Sequence, residues 1–180
     1  MTEAERDEQL LMEPLNDSTG FYIRATRQVG EWQTKHHKLA IYDTPHYGRI
    51  FRLDGCNMTS EREEFVYHEN LIHPALTAHA APKKVLIIGG GDGGSSEEAL
   101  KHPSVEQVTM CEIDAEVIAI AKEHFFAVHR GAFDNPKLRV LIGDGMKFIR
   151  DTHERFDLIA LDLNDPVGPS EGLYSAEFFQ

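Results

Sequence analysis

Four acidic residues in the second half of the chain each follow a run of apolar residues that is typical of a buried strand. They are Asp92, Glu112, Asp144 and Asp162. Ligands bind beyond the carboxyl ends of the strands in an open parallel sheet, so we predict that these side chains line one crevice. Carboxylates there would attract a cationic ligand, and one of them beside a reacting amine could accept its proton.

A glycine-rich turn lies at the centre of this pattern. The apolar, β-branched run at residues 85–88 is followed by Gly89, Gly91 and Gly94 in the spacing Gly-x-Gly-x-x-Gly. At a strand-to-helix turn, this spacing lets the backbone approach a ligand closely. Glu112 ends the next strand, where an acid commonly holds a ribose diol. Strand, glycines, helix and acid in this order predict a nucleoside-binding βαβ unit.

The charge of the glycine turn disfavours a dinucleotide as the ligand. A diphosphate would rest on the N-terminus of the helix, but Asp92 lies inside the turn and would repel it. Glu97 and Glu98, in the first helical turn, are ordinary partners for the helix dipole. A nucleoside that carries a positive charge therefore fits better than NAD.

These elements define the fold class as α/β, with a Rossmann-like doubly wound parallel sheet and a class I methyltransferase-like core, preceded by a small antiparallel β domain. The order of the core strands across the sheet is expected to be 3-2-1-4-5. The core strands are predicted at residues 85–88, 108–112, 138–142 and 156–161. Helices are predicted after Gly94, from Asp114 to Phe126, at residues 146–150 and from Ser175 onward.

The chain divides into four predicted segments. Residues 1–20 form an acidic, loosely ordered tail, and residues 21–59 form the N-terminal β domain as an antiparallel meander. Residues 60–82 form a helical hinge and linker, with a helix at 60–78 that Pro74 bends or ends. Residues 83–180 form the nucleoside-binding core, which we expect to be incomplete at its C-terminus. The predicted strands of the β domain are residues 21–28, 38–42, 49–53 and 56–59.

Composition argues against several classes of ligand and partner. The formal net charge of −12 opposes binding to nucleic acid, and no apolar run approaches the roughly 20 residues of a membrane helix. Cys56 and Cys111 lie in strand-like runs, which predicts buried thiols, a reducing compartment and a cytoplasmic protein. His68 and His73 are five residues apart on a helix and diverge by about 140°, so they cannot share a metal ion. We predict no metal site.

Several of these motifs together resemble the aminopropyltransferases, the spermidine and spermine synthases. The similarity covers about residues 21–180, including Leu-Asp-Gly at residues 53–55 and the segment Thr-Ser-Glu-Arg-Glu-Glu-Phe-Val-Tyr-His-Glu from residue 59. The core motifs that carry it are the glycine turn with Asp92, Cys-Glu112-Ile113-Asp, Gly-Asp144-Gly145 and Asp162-x-x-Asp165-Pro166-Val-Gly-Pro.

The resemblance implies transfer of an aminopropyl group from decarboxylated S-adenosylmethionine to a diamine such as putrescine, releasing methylthioadenosine. The donor is a co-substrate, and no prosthetic group is implied. As in the family, a second copy of the chain would be the partner, in a homodimer. The donor-binding residues implied are Gly89, Gly91, Asp92, Gly94, Glu112, Ile113, Asp144, Gly145 and Pro166.

The resemblance also implies roles for individual side chains. Glu112 would hold the ribose hydroxyls, and Asp144 with Gly145 would contact the adenine edge. Asp92 would bind the ammonium of the aminopropyl group. Asp162 would accept the proton of the attacking amine. The implied acceptor-binding residues are Tyr67, Asp165 and, close by, His68.

Alternatives remain open at this point. An S-adenosylmethionine-dependent methyltransferase shares the core and Glu112, but Asp92 would repel the methionine carboxylate. A truncated or non-catalytic relative would retain nucleoside binding without transfer. Leu163, directly after Asp162, resembles the thermospermine synthase branch, so the acceptor could be a longer polyamine.

Overall fold

The structure of the chain, a computed structural model, describes residues 9–166 and 168–179. Contacts divide it into two units, with the boundary between Glu64 and Phe65. The strands of the first unit are β1 Gln9–Pro14, β2 Gly20–Ala25, β3 Arg27–Gln33, β4 Lys38–Thr44, β5 Gly48–Leu53 and β6 Cys56–Ser60.

The first unit consists of antiparallel sheets. β3 to β6 pair in chain order as a four-stranded meander, and β1 pairs with β2 as a separate hairpin. The predicted antiparallel β domain is confirmed, and β4, β5 and β6 begin and end within two residues of the predicted bounds.

One prediction for this unit is wrong at its N-terminus. Residues 9–14 form a strand where we predicted a loose tail, whereas residues 1–8 of that predicted tail lie outside the described residues. Leu11 is 1% exposed and packs with Ala25 and Tyr42. Because its neighbours in the Leu-Leu-Met run are also apolar, the sequence lacks the alternation that signals a half-buried strand.

Two further features of the first unit differ from expectation. The single strand predicted at residues 21–28 is divided between β2 and β3, with the break at Thr26, whose N–H donates to the Asp43 carbonyl at 2.9 Å. No glycine or proline marks that break in the sequence. Cys56 is exposed rather than buried because it begins β6 directly after a tight turn, whereas Cys111 is buried as predicted.

The second unit is an α/β layer structure around a parallel sheet. Its strands are β7 Lys84–Gly89, β8 Gln107–Glu112, β9 Leu138–Ile142 and β10 Leu158–Asp162. Its helices are α1 Glu64–Ala78, which begins at the unit boundary, α2 Gly94–Leu100, α3 Ala115–His124, α4 Phe126–His129 and α5 Gly145–Asp151, with 3-10 helices at Ala132–Asp134 and Gly168–Tyr174. Within the described ranges, no helix has the length and apolar character needed to span a membrane.

The sheet order is β10-β7-β8-β9, with all pairs parallel. This is the predicted order 3-2-1-4 for the four strands. β7 is buried on both faces, because Val85 and Ile87 pack into one apolar cluster with Ile72 of α1, while Leu86 and Ile88 pack into another. The doubly wound arrangement is thus confirmed.

The helices differ from the predictions mainly at their ends. α1 begins at Glu64 rather than Ser60, because Ser60 still belongs to β6, and it continues through Pro74 to Ala78. It packs with the parallel sheet in the second unit rather than forming a separate hinge. Asp114 caps α3 as predicted, accepting from the Glu116 N–H at 3.0 Å.

The helix predicted from Ser175 onward is wrong within the described residues. A 3-10 helix occupies Gly168–Tyr174 and is followed by turns up to residue 179. Its glycine- and proline-rich sequence predicted a loop, and the Ser175 hydroxyl accepts from the Phe178 N–H at 3.2 Å, which closes a turn.

Gly89 and Gly131 form a matched pair of positions for testing the close packing of β7 against β10. Both have positive φ values, of 82° and 86°, but a side chain at Gly89 would overlap the Asp162 carbonyl oxygen, whereas Gly131 has open space around it. We expect Gly131→Ala to lower the free energy of unfolding by about 1–2 kcal/mol, the ordinary cost of a left-handed conformation. Gly89→Ala should cost clearly more, because β7 and β10 must also separate. Urea unfolding measures both, and equal losses would contradict this packing.

Candidate active site

The glycine turn between β7 and α2 is folded directly against the end of β10. The Gly90 N–H donates to the Asp162 carbonyl at 3.0 Å. A Cβ atom built at Gly90 would lie 2.9 Å from Oδ2 of Asp162, and one at Gly89 would overlap the carbonyl oxygen of the same residue. The backbone therefore approaches Asp162 to a distance that side chains would prevent.

The same turn also meets β8 and α1. A Cβ atom at Gly91 would lie 2.9 Å from Oε2 of Glu112, and one at Gly94 would overlap the ring of His68. The glycines thus bring residues from three elements to one corner of the sheet.

One imidazole and two carboxylates form the centre of this corner. His68, Asp92 and Asp162 each offer a ligand atom, and these atoms lie within 4.8 Å of one another. Asp92 accepts from the Gly94 N–H at 2.9 Å through Oδ1, while its Oδ2 lies 3.4 Å from Nε2 of His68. Such a donor set could hold either a metal ion or an organic ammonium. The predicted absence of a metal stays a prediction.

The surroundings of Asp162 perturb its ionisation. Its Oδ2 is buried without a hydrogen-bond partner among the described residues. Burial raises the pKa of the Asp162 carboxyl to about 6, and the negative charge of Asp92 adds to the rise, against the opposing effects of His68, Ser95 and Tyr67. Near neutral pH this group is poised to exchange a proton.

Tyr67 lies next to this pair of acids with about half of its side chain exposed. Burial, and then the charge of Asp162, raise the pKa of its phenol well above the usual value, and Asp92 contributes a smaller effect. The phenol therefore stays protonated and can donate a hydrogen bond at any physiological pH.

Glu112 ends β8 and Asp144 follows β9, so the two acids lie at the same edge of two neighbouring strands. Glu112 is 7% exposed and accepts from the Asp114 N–H at 2.9 Å, and Asp144 caps α5 by accepting from the Met146 N–H at 2.8 Å. Both carboxylates, after burial itself, help to raise the pKa of the Cys111 thiol to about 11. They therefore face a common region. Ile113 is half-buried, and Gly145 packs on Ile88 with no room for a side chain.

Asp165 and Pro166 are exposed in the loop after β10. The Tyr174 hydroxyl donates to the Asn164 carbonyl at 2.9 Å. Burial raises the pKa of the Tyr174 phenol, and the charges of Asp165 and Asp162 add to the effect. The 3-10 helix thus places the Tyr174 phenol near both Asp162, at the end of β10, and Asp165, in the loop.

Sequence reasoning missed Ser95 and Tyr174 as neighbours of the site. Ser95 follows the last glycine of the turn and resembles an ordinary serine of a helical first turn. Tyr174 lies between a proline-rich stretch at residues 164–172 and the helix predicted from Ser175. Neither position carries a local signal, because only the folded sheet brings Asp162 to them.

A second cluster of similar composition lies on α1 and α2. Glu69, His73 and Glu98 also offer ligand atoms within 4.8 Å of one another. His73 contacts Glu98 at 3.0 Å and His102 at 2.8 Å, so His68 and His73 have different partners, as their spacing predicted. Both oxygens of Glu98 accept from Lys101 at 2.7 Å. The Lys101 ammonium therefore already balances this cluster, beside which an open cavity of about 540 Å³ lies.

A parallel sheet with a glycine turn after its first strand, and an acid at the end of each strand, defines a Rossmann-like core. The family model described as the spermine/spermidine synthase domain matches residues 64–180. The chain belongs to this family, as the sequence motifs indicated.

Similar proteins with curated names support the same assignment. The chain is 43% identical over 174 residues to the polyamine aminopropyltransferase of Nitrosomonas europaea, covering 96% of this chain and 53% of that protein. It is 46% identical over 168 residues to the polyamine aminopropyltransferase of Pseudomonas syringae pv. tomato, covering 93% and 59%. The chain therefore spans between half and two thirds of the length of these relatives.

Two solved structures are similar to the whole described fold. A spermidine synthase in complex with the transition-state analogue AdoDATO superimposes with a TM-score of 0.92 at 38% identity, covering 97% of this chain and 60% of that one. The spermidine synthase of Thermotoga maritima superimposes with a TM-score of 0.83 at 38% identity, covering 87% and 55%.

The raised pKa of Asp162 has a consequence for stability. The carboxyl titrates near 6 in the folded chain but near 3.8 as a free group, so the folded state binds this proton more tightly. The contribution of protonated Asp162 to the free energy of unfolding is fully present below about pH 4 and is lost as the pH rises through 6. Asp162→Asn removes this loss. We expect it to stabilise the chain at pH 8 by roughly 2–3 kcal/mol more than at pH 4.

Denaturant unfolding at the two pH values measures this difference. Asp165→Asn is the control, because its carboxylate is exposed, and its effect should be nearly independent of pH. An Asp162→Asn effect of the same size at pH 4 and pH 8 would contradict the burial of an ionisable Asp162.

Proposed function

We propose that this chain carries the donor site and the base of an aminopropyltransferase, which moves an aminopropyl group from decarboxylated S-adenosylmethionine to an amine. The observation that carries the proposal is the corner of the sheet where Asp162, whose Oδ2 is buried, lies within reach of Asp92 and His68, directly at a nucleoside-type glycine turn. The names of the similar polyamine aminopropyltransferases and of the spermidine synthase bound to AdoDATO support it.

The reaction needs an aligned and neutral amine more than it needs activation of the leaving group. The acceptor nitrogen attacks the carbon bonded to the sulfonium, the carbon–sulfur bond breaks, and its electron pair stays on sulfur as methylthioadenosine leaves. An alkylammonium has a pKa near 10, so the acceptor arrives protonated. Asp162 takes the proton that the nitrogen must lose, and its raised pKa makes it a better acceptor than an ordinary carboxylate.

Asp92 is proposed to bind the ammonium of the aminopropyl chain. Its Oδ1 accepts from the Gly94 N–H and its Oδ2 faces His68. The negative charge of this carboxylate attracts an ammonium. The carboxylate of intact S-adenosylmethionine would meet the same charge and be repelled.

The remaining donor contacts follow the edge of the sheet. Glu112 is assigned to the ribose hydroxyls, since its Oε2 faces the backbone of the turn at Gly91. Asp144 and Gly145 are assigned to the adenine edge. The other proposed donor contacts are Gly89, Gly91, Gly94, Ile113 and Pro166.

Putrescine, or a longer polyamine, is the proposed acceptor. Tyr67 and Asp165 would position its two ends around Asp162, with the protonated Tyr67 phenol as a hydrogen-bond donor. Leu163 packs with Leu86 and Ile88 on one face of the sheet. Because the side chain is engaged there, Leu163 by itself does not favour either length of acceptor.

A homodimer and a cytoplasmic location complete the proposal. The homodimer follows the resemblance to the family. The two cysteines, Cys56 and Cys111, are free, which supports a reducing compartment.

Asp162→Asn is expected to lower turnover by about 10²–10⁴-fold, the usual range for loss of a general base. Donor affinity should change little, because the amide keeps the shape of the carboxyl. Release of methylthioadenosine, with decarboxylated donor and putrescine, measures turnover, and calorimetry measures donor affinity. Asp151→Asn, an exposed acid at the end of α5, is the control. Turnover within threefold of the parent would remove Asp162 from the mechanism, and donor binding without turnover in the parent would favour a non-catalytic relative.

Asp92 should determine the choice of donor. The parent is expected to bind decarboxylated S-adenosylmethionine clearly more tightly than the intact form, and Asp92→Asn should weaken this preference because the amide neither attracts the ammonium nor repels a carboxylate. Glu97→Gln is the matched control, since Glu97 is paired with Lys101 at 2.8 Å and Arg130 at 3.2 Å. Equal binding of both donors by the parent, measured by calorimetry, would favour a methyltransferase instead.

A further inference from the structure

Two buried oxygens at the candidate site lack hydrogen-bond partners among the described residues: Oγ of Ser95 and Oδ2 of Asp162. Ser95 is 0% exposed, so its hydroxyl is not in contact with bulk solvent. Buried polar atoms are normally satisfied, and an exception calls for an explanation. The Ser95 side chain is one of the groups that act on the Asp162 carboxyl, so these two unsatisfied oxygens are neighbours and point to a common role.

The position of Ser95 is fixed by the turn that precedes it. It begins the first turn of α2 directly after Gly94, whose N–H donates to Asp92 and whose backbone packs against the His68 ring. Asp162 is held from the other side by the Gly90 N–H. Neither residue can move far without separating the turn from β10 or α1.

A hydrogen bond between Ser95 and Asp162 can have only one donor when Asp162 is ionised. An ionised carboxylate only accepts hydrogen bonds, so the Ser95 hydroxyl must be the donor to it. A hydrogen bond to the charged form lowers a carboxyl pKa, and Ser95 acts in this direction on Asp162, against burial and the charge of Asp92. The titratable groups that also face Asp162 are Tyr67 and His68 from α1, Asp92 from the turn and Tyr174 from the 3-10 helix.

We propose that Ser95 is a positioning residue of the transfer reaction: its hydroxyl donates a hydrogen bond to Oδ2 of Asp162, holding that carboxyl ionised and oriented toward the reacting amine. This inference rests on the proposed function. Tyr67 stands at the exposed edge of the site, where a substrate amine can compete for it, whereas Ser95 is enclosed and acts on Asp162 from the interior. The Ser95 hydroxyl therefore keeps Asp162 ionised and oriented before the acceptor binds.

The test compares Ser95→Ala with Ser96→Ala. Ser96 is the next residue of α2, is equally buried and also has an unpartnered hydroxyl, but it is not among the groups that act on Asp162. Carbon-13 NMR of the labelled Asp162 carboxyl in the full chain gives its titration without any substrate. We expect Ser95→Ala to raise the titration midpoint from about 6 by about one unit, the order expected for one hydrogen bond to a charged group. Ser96→Ala should leave it unchanged.

The pH dependence of kcat/KM provides the second readout. In Ser95→Ala the acidic limb should move up by the same amount, so that the rate falls about tenfold on that limb and recovers to within about twofold of the parent above pH 8.5. A loss that is equal at every pH would indicate a merely structural role and overturn the proposal. So would an unchanged Asp162 titration in Ser95→Ala, or an equal shift in Ser96→Ala. Because the NMR titration needs no turnover, an inactive parent would contradict the proposed function while leaving the Ser95–Asp162 interaction measurable.

Discussion

The contact between the glycine turn and the end of β10 is the constraint on which the candidate site depends. The Gly90 N–H binds the Asp162 carbonyl, and the missing side chains at Gly89 and Gly90 leave the space that Asp162 fills. This packing withdraws Oδ2 of Asp162 from water and sets it near Asp92 of the same turn. The raised pKa of the buried acid is therefore a consequence of backbone geometry. A bulkier turn would separate the two strands, expose the carboxyl and return it to ordinary acidity.

Features that depend on local patterning could be predicted from the sequence. The four apolar residues at 85–88 identified β7 because a strand buried on both faces needs no alternation. The acids could be found because the carboxyl ends of parallel strands fall on one edge of the sheet. The caps were also local, since Asp114 begins α3 by binding a backbone N–H two residues ahead. Each of these inferences uses residues close together in the chain.

Features that depend on contacts between distant segments could not be predicted. β1 exists because Leu11 packs with Tyr42 of β4, and nothing near Leu11 in the sequence indicates this partner. Ser95 becomes a neighbour of Asp162 only when β10 pairs beside β7. Tyr174 reaches the same acid from a segment with the composition of a loop. The acids of the site could thus be named in advance, whereas the groups that adjust their ionisation required the fold.

Charge balance distinguishes the candidate site from its surroundings. Two clusters, each of one imidazole and two carboxylates, lie around α1 and α2. In the outer cluster Glu98 is balanced by Lys101 at 2.7 Å and by Arg130 at 3.9 Å. In the inner cluster no lysine or arginine pairs with Asp162 in the part of the chain that the structure describes, and the nearby charges are Asp92 and the titratable His68. A buried excess of negative charge is unfavourable in the free chain, and a cationic ligand removes it. Under the proposed function, the same imbalance that weakens the fold supplies the affinity for an ammonium-bearing substrate.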